Sequence, residues 1–239
     1  MGRMFLIRHA QASFREGNYD KLSKIGEIQA QRLGEFWASR QMVFDRVYSG
    51  PRVRQLNTAS IVRDAYQKVG LEFPVPVVMN EFDEYEGEAV LRQSLARLLE
   101  ESSEIRELYQ RFETANTADE QRKRFQKLFE AVIGKWVEGA ILVPGVESWS
   151  DFCARVGRGL FQVASNKSRG ERVAIFSSGG PIGVSMQRAL NLSPQDTLRV
   201  AWMSRNCSYS EFLFSSVRFT LSTFNAFSHL DDAALLTYR

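Results

Sequence analysis

The chain has 239 residues, of which 44% are hydrophobic and 25% charged, and its formal net charge is +3. This composition is ordinary for a globular protein and excludes a largely disordered chain. The basic residues are scattered rather than grouped, which argues against nucleic-acid binding, and no apolar run approaches the length of a membrane span.

The first third of the chain alternates predicted strands with predicted helices. Apolar runs predict strands at residues 3–8, 45–49 and 74–79. Helices are predicted over about residues 24–39, where Ser23 is placed to cap the helix, and from the Gly50-Pro51 break to about residue 69.

From residue 90 the apolar residues recur at helical spacing. The clearest stripe is Phe125, Leu128, Val132 and Trp136. This pattern predicts a helical cap inserted over about residues 90–143 into a single domain that spans residues 1–239. A cap of this kind is expected to shape access to a substrate site.

The last part of the chain returns to the alternating pattern. A helix over about residues 150–164, a buried strand over 172–177, a glycine turn, a helix over 182–190 and two half-exposed strands over 208–214 and 218–224 are predicted. The alternation predicts an α/β fold, a three-layer α/β/α sandwich with a mainly parallel sheet. Ligands bind at the carboxyl ends of such strands, so we expect His9, Ser178 and residues 49–54 to converge there.

Arg8, His9 and Arg54 are the residues in this set that suit an anion. Arg54 lies near the start of a predicted helix, where free N–H groups and the helix dipole attract phosphate, and a guanidinium can bind phosphate oxygens in pairs. A single histidine after a strand is more often structural than nucleophilic. Arg52, beside Pro51 in the turn, is expected to be solvent-exposed.

Five segments in order resemble the histidine phosphatase superfamily, which includes the cofactor-dependent phosphoglycerate mutases. They are LIRHA at residues 6–10, LSKIGEIQA at 22–30, the set Ser49, Pro51, Arg54, Thr58 and Ala59, the set Gly145, Glu147 and Ser148, and SHLDD at 228–232. The resemblance implies a phosphoglycerate mutase-like fold.

The resemblance also implies a mechanism without metal or cofactor. His9 would attack the phosphorus of a small phosphorylated substrate and become a transient phosphohistidine, which divides one difficult displacement into two easier ones. Arg8, Arg54 and Gly179 would bind the phosphoryl group. Glu81, in an acidic segment after the third strand, would donate a proton to the leaving oxygen, with Glu84 as the alternative.

The chain departs from the family pattern within the expected site, where Ala10 and Ala12 stand in place of the usual glycine and threonine. Ser178 stands where members carry a second catalytic histidine, and a hydroxyl is a shorter, neutral donor. Losing one preorganised donor costs on the order of 10²–10³ in rate. Arg15 stands where members often have asparagine, and it is either a substrate contact or a solvated loop residue. His229, the only other histidine, is a weak candidate for the missing imidazole.

Three functions follow from these observations. The first is a metal-independent phosphatase acting through His9, with activity weakened by Ser178. The alternative is a catalytically degenerate module that binds phosphate or a phosphorylated ligand. A phosphoglycerate mutase is the least favoured, because nothing in the altered pocket indicates retention of a phosphohistidine against water.

Cysteine and histidine content bears on metals and compartment. Two cysteines without a CxxC spacing and two histidines provide no cysteine–histidine metal cluster. The four apolar residues after Arg3 are too few for the core of a signal peptide. We expect free thiols, a cytoplasmic protein and no membrane association, whereas the sequence leaves the oligomeric state open.

Overall fold

The structure, a computed structural model, describes residues 1–13, 20–165, 170–215 and 217–238. The strands are β1 (Gly2–Arg8), β2 (Arg46–Ser49), β3 (Val77–Val78), β4 (Arg172–Ser177), β5 (Tyr209–Phe214) and β6 (Phe219–Ala226). The helices are α1 (Lys24–Ser39), α2 (Val53–Lys68), α3 (Gly87–Glu101), α4 (Ser103–Glu113), α5 (Ala118–Val137), α6 (Trp149–Ser165), α7 (Gly179–Leu190) and α8 (Pro194–Met203). Among these helices, none combines the length and apolar character that crossing a membrane requires.

The strands form one mixed sheet in the order β3-β2-β4-β1-β5-β6. The first four are mutually parallel, and β5 and β6 continue the sheet as antiparallel neighbours. The predicted α/β fold with a mainly parallel sheet is therefore confirmed. Because β4 lies between β1 and β2, their carboxyl ends at Arg8, Ser177 and Ser49 are adjacent.

Several predicted elements match the structure closely, and Ser23 does cap α1 by accepting a hydrogen bond from the Gly26 N–H at 3.0 Å. The third strand is shorter than predicted, with only Val77–Val78 paired, because Pro74 and Pro76 have no N–H to donate to a ladder. Helix α7 begins at Gly179, three residues earlier than predicted, because a proline is tolerated in a first helical turn.

Helix α8 was not among the predicted elements. Its signal was local: Ser193 caps the helix by accepting from the Asp196 N–H, and Pro194 occupies its first turn. The helix packs close to α7, where a Cβ added at Gly183 would lie 2.9 Å from the Ala201 Cβ. The glycines of the Gly179–Gly183 segment thus permit close approach of two helices as well as a tight turn.

Residues Tyr85–Cys153 form a compact unit of their own, and the remaining described residues form the other. The smaller unit contains α3, α4 and α5 and extends beyond the predicted insertion at both ends. The buried residues on its three helices include Val90, Leu98, Ile105, Leu128, Phe129, Val132, Ile133 and Trp136. The ring of Tyr85 stacks on Trp136 with centroids 5.4 Å apart.

His229 lies in the core of the larger unit. Its ring is 4% exposed and faces Phe36 and Tyr209, with centroids at 5.9 and 6.3 Å. Burial lowers the pKa of His229 to about 4, so the ring is neutral at neutral pH. These aromatic contacts are typical of a packed structural residue.

The buried imidazole predicts a loss of stability in mild acid. Between pH 6.5 and about 4 the unfolded chain binds a proton at His229 that the folded chain does not, so stability falls as pH falls through this range. Over this whole range, the proton bound at His229 in the unfolded chain lowers the free energy of unfolding by about 3 kcal/mol. We expect His229→Phe to remove this part of the dependence in denaturant unfolding at pH 7, 6, 5 and 4. If the free energy of unfolding fell equally with pH in His229→Phe and in the wild type, the pH dependence would not come from His229.

Candidate active site

His9 follows directly on β1 and is 5% exposed. Its Nδ1 lies 2.8 Å from the carbonyl oxygen of Ala10, which can only accept, so Nδ1 carries the proton. The Nε of Arg54 donates to His9 Nε2 at 3.1 Å. The ring is therefore held as the neutral tautomer with its lone pair on Nε2, the form that a nucleophilic histidine requires.

Arg54 reaches His9 from the first turn of α2 and is itself only 5% exposed. Its Nη1 forms an ion pair with Asp20 Oδ1 at 2.8 Å. The other carboxylate oxygen of Asp20 accepts from the N–H of Val53 at 2.9 Å, at the start of the same helix. Asp20 thus fixes the guanidinium and satisfies a terminal N–H of α2, as a carboxylate at a helix N-terminus does.

Residues of the sequence motifs hold the backbone that carries His9. The hydroxyl of Thr58 accepts from the Ala10 N–H at 3.0 Å and donates to the Arg54 carbonyl at 2.7 Å. Gln29, which is fully buried, accepts from the Gln11 N–H at 2.8 Å. These bonds satisfy buried backbone groups after β1 and so fix the direction in which the imidazole leaves the strand.

Ser178 is fully buried at the end of β4 and forms the N-cap of α7 without a side-chain cap bond. Its hydroxyl oxygen accepts from Nε2 of Gln55 at 2.8 Å. Gln55 follows Arg54 on α2, so two consecutive residues reach the ends of β1 and β4. The side chains of Gln55 and Ser178 together occupy this buried corner.

In the acidic segment after β3, the two candidate proton donors, Glu84 and Glu81, have different surroundings. Glu84 accepts from the N–H of Gly180 at 3.1 Å, in the first turn of α7 and two residues from Ser178. Glu81 lies against α6, where a Cβ added at Gly159 would come within 2.6 Å of the Glu81 Cβ. The Glu84 carboxylate therefore lies beside the end of β4, and the stem of Glu81 packs against α6.

Two arginines hold this acidic segment. Arg52 pairs with Asp83 at 2.5 Å and is half-buried, so the prediction that it is a solvent-exposed turn residue is wrong. The reason is tertiary, because β3 returns the acidic segment to the start of α2. Arg155 donates to the carbonyl oxygens of Glu81 and Asp83 at 3.2 and 3.1 Å.

Of the remaining predicted site residues, the structure describes Arg8 and Gly179. Arg8 is half-buried, and its Nη1 donates to the carbonyl oxygen of Ser204 at the end of α8. Gly179 is buried, and a Cβ there would lie 3.1 Å from the Ala201 carbonyl oxygen. Arg15 lies outside the described residues.

Sequence reasoning missed two residues that touch the core of the site, Asp20 and Gln55. Asp20 stands in a polar segment without periodicity, and its only signal was a carboxylate placed shortly before Ser23. In the sequence, Gln55 looks like an ordinary helical residue. A fully buried glutamine is rare, but its burial becomes known only from the fold. Within the described ranges, no group of three histidine, cysteine, aspartate or glutamate residues is placed to hold a metal ion.

The family model of the histidine phosphatase superfamily (branch 1) matches residues 4–143 and 89–226. The chain belongs to this superfamily. No curated protein matches it.

Solved structures of similar fold include several phosphatases. A phosphoserine phosphatase from Entamoeba histolytica, in complex with 3-phosphoglyceric acid, is 19% identical with a TM-score of 0.63, covering 96% of this chain and 100% of that one. The mycobacterial glucosyl-3-phosphoglycerate phosphatase complexed with VO3 is 20% identical with a TM-score of 0.62, covering 95% and 100%. A putative alpha-ribazole-5'-P phosphatase from Escherichia coli is 17% identical with a TM-score of 0.62, covering 95% and 98%. At these identities the likeness shows the fold.

The packing of Ser178 predicts that a histidine at this position would lower the stability of the protein. Ser178 is fully buried against Gln55, so Ser178→His overfills the corner and costs about 1–3 kcal/mol. Shortening the partner in Ser178→His/Gln55→Ala should recover most of that loss. Denaturant unfolding of the single and double variants measures it, with Ser178→Ala as the control. A single histidine variant as stable as the wild type would show that the corner has spare room.

Proposed function

We propose that this superfamily member is a metal-independent phosphatase that hydrolyses a small phosphomonoester through a phosphohistidine at His9. The observation that carries the proposal is the pair formed by His9 and Arg54, an imidazole lone pair at 3.1 Å from a buried guanidinium. Phosphoryl transfer depends mainly on positioning and charge neutralisation, which this pair supplies. The phosphatases of similar fold bind or act on small phosphorylated molecules, which supports the substrate class.

In the proposed first step, Nε2 of His9 attacks phosphorus and the P–O bond to the leaving group breaks. The phosphoryl oxygens take the place of Nε2 as acceptors for Arg54, and Arg8 supplies the second positive charge. The leaving oxygen takes a proton from a carboxyl group. In the second step, water attacks phosphorus, the P–N bond breaks, and the same carboxylate takes a proton from the water, giving inorganic phosphate and free His9.

We assign the carboxyl group to Glu84. Its hydrogen bond to the Gly180 N–H puts it at the end of β4, beside Ser178, whereas the stem of Glu81 packs against Gly159. Arg52 and Arg155 hold the segment that carries both glutamates. Ser178 and Gly179 would complete the phosphoryl contacts at the start of α7.

The nucleophile is tested by the two histidines of the chain, which provide a matched pair of variants. His9→Ala should lower kcat/KM for p-nitrophenyl phosphate by at least about 10³, because covalent catalysis is lost. His229→Phe, which alters a core ring, should leave the activity unchanged. Acid quenching after incubation with labelled substrate should trap acid-labile phosphate on the wild type and none on His9→Ala.

The result against the proposal is clear. Equal turnover by His9→Ala and the wild type would remove His9 as the nucleophile. Turnover without a trapped intermediate, combined with a large loss in His9→Ala, would replace the covalent route by direct attack of water.

The choice of carboxyl group is tested by two glutamine substitutions. Glu84→Gln should lower kcat by about 10²–10⁴, because positioned proton transfer is lost. Glu81→Gln should have a much smaller effect. A leaving group that needs no proton, such as p-nitrophenol, should be less affected by Glu84→Gln than an alkyl phosphate. The reverse order of the two variants would move the role to Glu81.

The second candidate is a module that binds a phosphorylated ligand without turnover, and Ser178 is the observation that favours it. A neutral hydroxyl replaces the histidine that superfamily members carry, so phosphate binding is less affected than chemistry. Binding of inorganic phosphate to the wild type, with no hydrolysis of any phosphomonoester, would establish this function instead.

We also propose a cytoplasmic location. In the part of the chain that the structure describes, no disulfide joins Cys153 or Cys207, as expected in a reducing compartment. Burial, with the nearby Glu147 carboxylate, raises the pKa of Cys153 to about 12, and burial raises the pKa of Cys207 further. Neither thiol has the character of a nucleophile at neutral pH.

A further inference from the structure

The side-chain amide of Gln55 has a fixed orientation, because its oxygen faces a group that can only donate and its nitrogen faces a group that can only accept. Its Oε1 accepts from the N–H of Arg52 at 3.0 Å, and an N–H can only donate. Its Nε2 lies 3.4 Å from the carbonyl oxygen of Phe82, which can only accept. Rotating the amide by 180° would put two donors together at one end and two acceptors together at the other.

The fixed amide decides the direction of the hydroxyl proton of Ser178. Nε2 of Gln55 donates to Ser178 Oγ at 2.8 Å, so the serine oxygen accepts there and its own proton points elsewhere. Ser178 makes no cap bond to α7, and among the described residues the hydroxyl has no acceptor. A fully buried hydroxyl is left with one unused donor.

An unused buried donor is costly unless a ligand takes it. Ser178 directly follows β4, and β4 is hydrogen-bonded beside β1, which ends at Arg8 just before His9. A phosphoryl oxygen attached to the attacking nitrogen of His9 is an acceptor at the same edge of the sheet. Because Arg54 and Gln55 are consecutive, one helical turn holds both the cation and the amide that orient this edge.

We propose that Gln55 is a positioning residue that turns the hydroxyl of Ser178 outward, so that the hydroxyl donates to a phosphoryl oxygen. The pair provides a neutral, directed donor where superfamily members have an imidazole. This inference rests on the proposed function for its ligand. It adds a residue that no motif of the sequence marks, and it assigns Ser178 a definite hydrogen-bonding role.

The test is a double-mutant cycle on hydrolysis of p-nitrophenyl phosphate. Gln55→Met keeps the length of the side chain and removes the amide, and Ser178→Ala removes the hydroxyl. We expect each single variant to lose roughly tenfold in kcat/KM, the equivalent of one hydrogen bond. The kcat/KM of the double variant should match that of the less active single variant, within about twofold. The inhibition constant of inorganic phosphate should rise in the same proportion.

Ser185→Ala is the matched control. Ser185 is also fully buried on α7, but its hydroxyl donates to the Pro181 carbonyl within the helix. This variant should keep the wild-type kcat/KM and phosphate inhibition constant. The control therefore distinguishes the loss of the oriented Ser178 donor from a general destabilisation of α7. Thermal unfolding of every variant shows whether it is folded at the assay temperature.

The outcomes separate the inference from the proposed function. If His9→Ala abolishes activity while Gln55→Met behaves as wild type, or if the two losses multiply in the double variant, the inference is overturned and the phosphatase stands. If the wild type does not hydrolyse the ester, calorimetry with inorganic phosphate replaces the assay: equal weakening by Gln55→Met and Ser178→Ala supports the inference, and unchanged binding overturns it. A wild type that neither hydrolyses the ester nor binds phosphate overturns both.

Discussion

The contact between Arg54 and His9 is the interaction on which the rest of the site depends. A buried guanidinium at 3.1 Å from an imidazole nitrogen needs that nitrogen to be unprotonated, and the Ala10 carbonyl secures this by holding the proton on the opposite side of the ring. The contact also needs a countercharge, which Asp20 supplies. A proton on that nitrogen would leave the guanidinium buried beside a second cation, and loss of Asp20 would remove its ion pair; either change would cost several kcal/mol.

The sheet order makes this contact possible. With β4 between β2 and β1, the chain must carry a side chain from the end of β2 across one strand to reach His9. The first turn of α2 does this, with Arg54 directed to the end of β1 and Gln55 to the end of β4. Gly50 permits the approach, because a Cβ there would come within 2.3 Å of the Gln55 amide oxygen. Residues adjacent in one helical turn thus couple two strand ends.

Ser178, where the sequence predicts a departure from the superfamily pattern, has a hydrogen-bonding partner in Gln55. Serine at position 178 is shorter than histidine, and the glutamine at 55 fills the buried corner and bonds to its hydroxyl. The same amide bonds to the Phe82 carbonyl, which also accepts from Ser177, so the acidic segment is tied to this pair. Ser178, Gln55, Ser177 and the Phe82 carbonyl oxygen are therefore joined by a connected set of neutral hydrogen bonds.

The sequence alone determined the alternation of strands and helices, the cap of α1 and the family, because periodicity, capping residues and motif order are local properties of the chain. It also marked His9, Arg54 and Ser178 as strand-end or helix-start residues. Only the tertiary structure decided that Arg52 is paired, that Asp20 and Gln55 belong to the site, and that the Glu84 carboxylate, not the stem of Glu81, faces α7. These facts depend on strand order and on which way a side chain leaves its backbone, and both are set by long-range packing that spacing along the chain does not record.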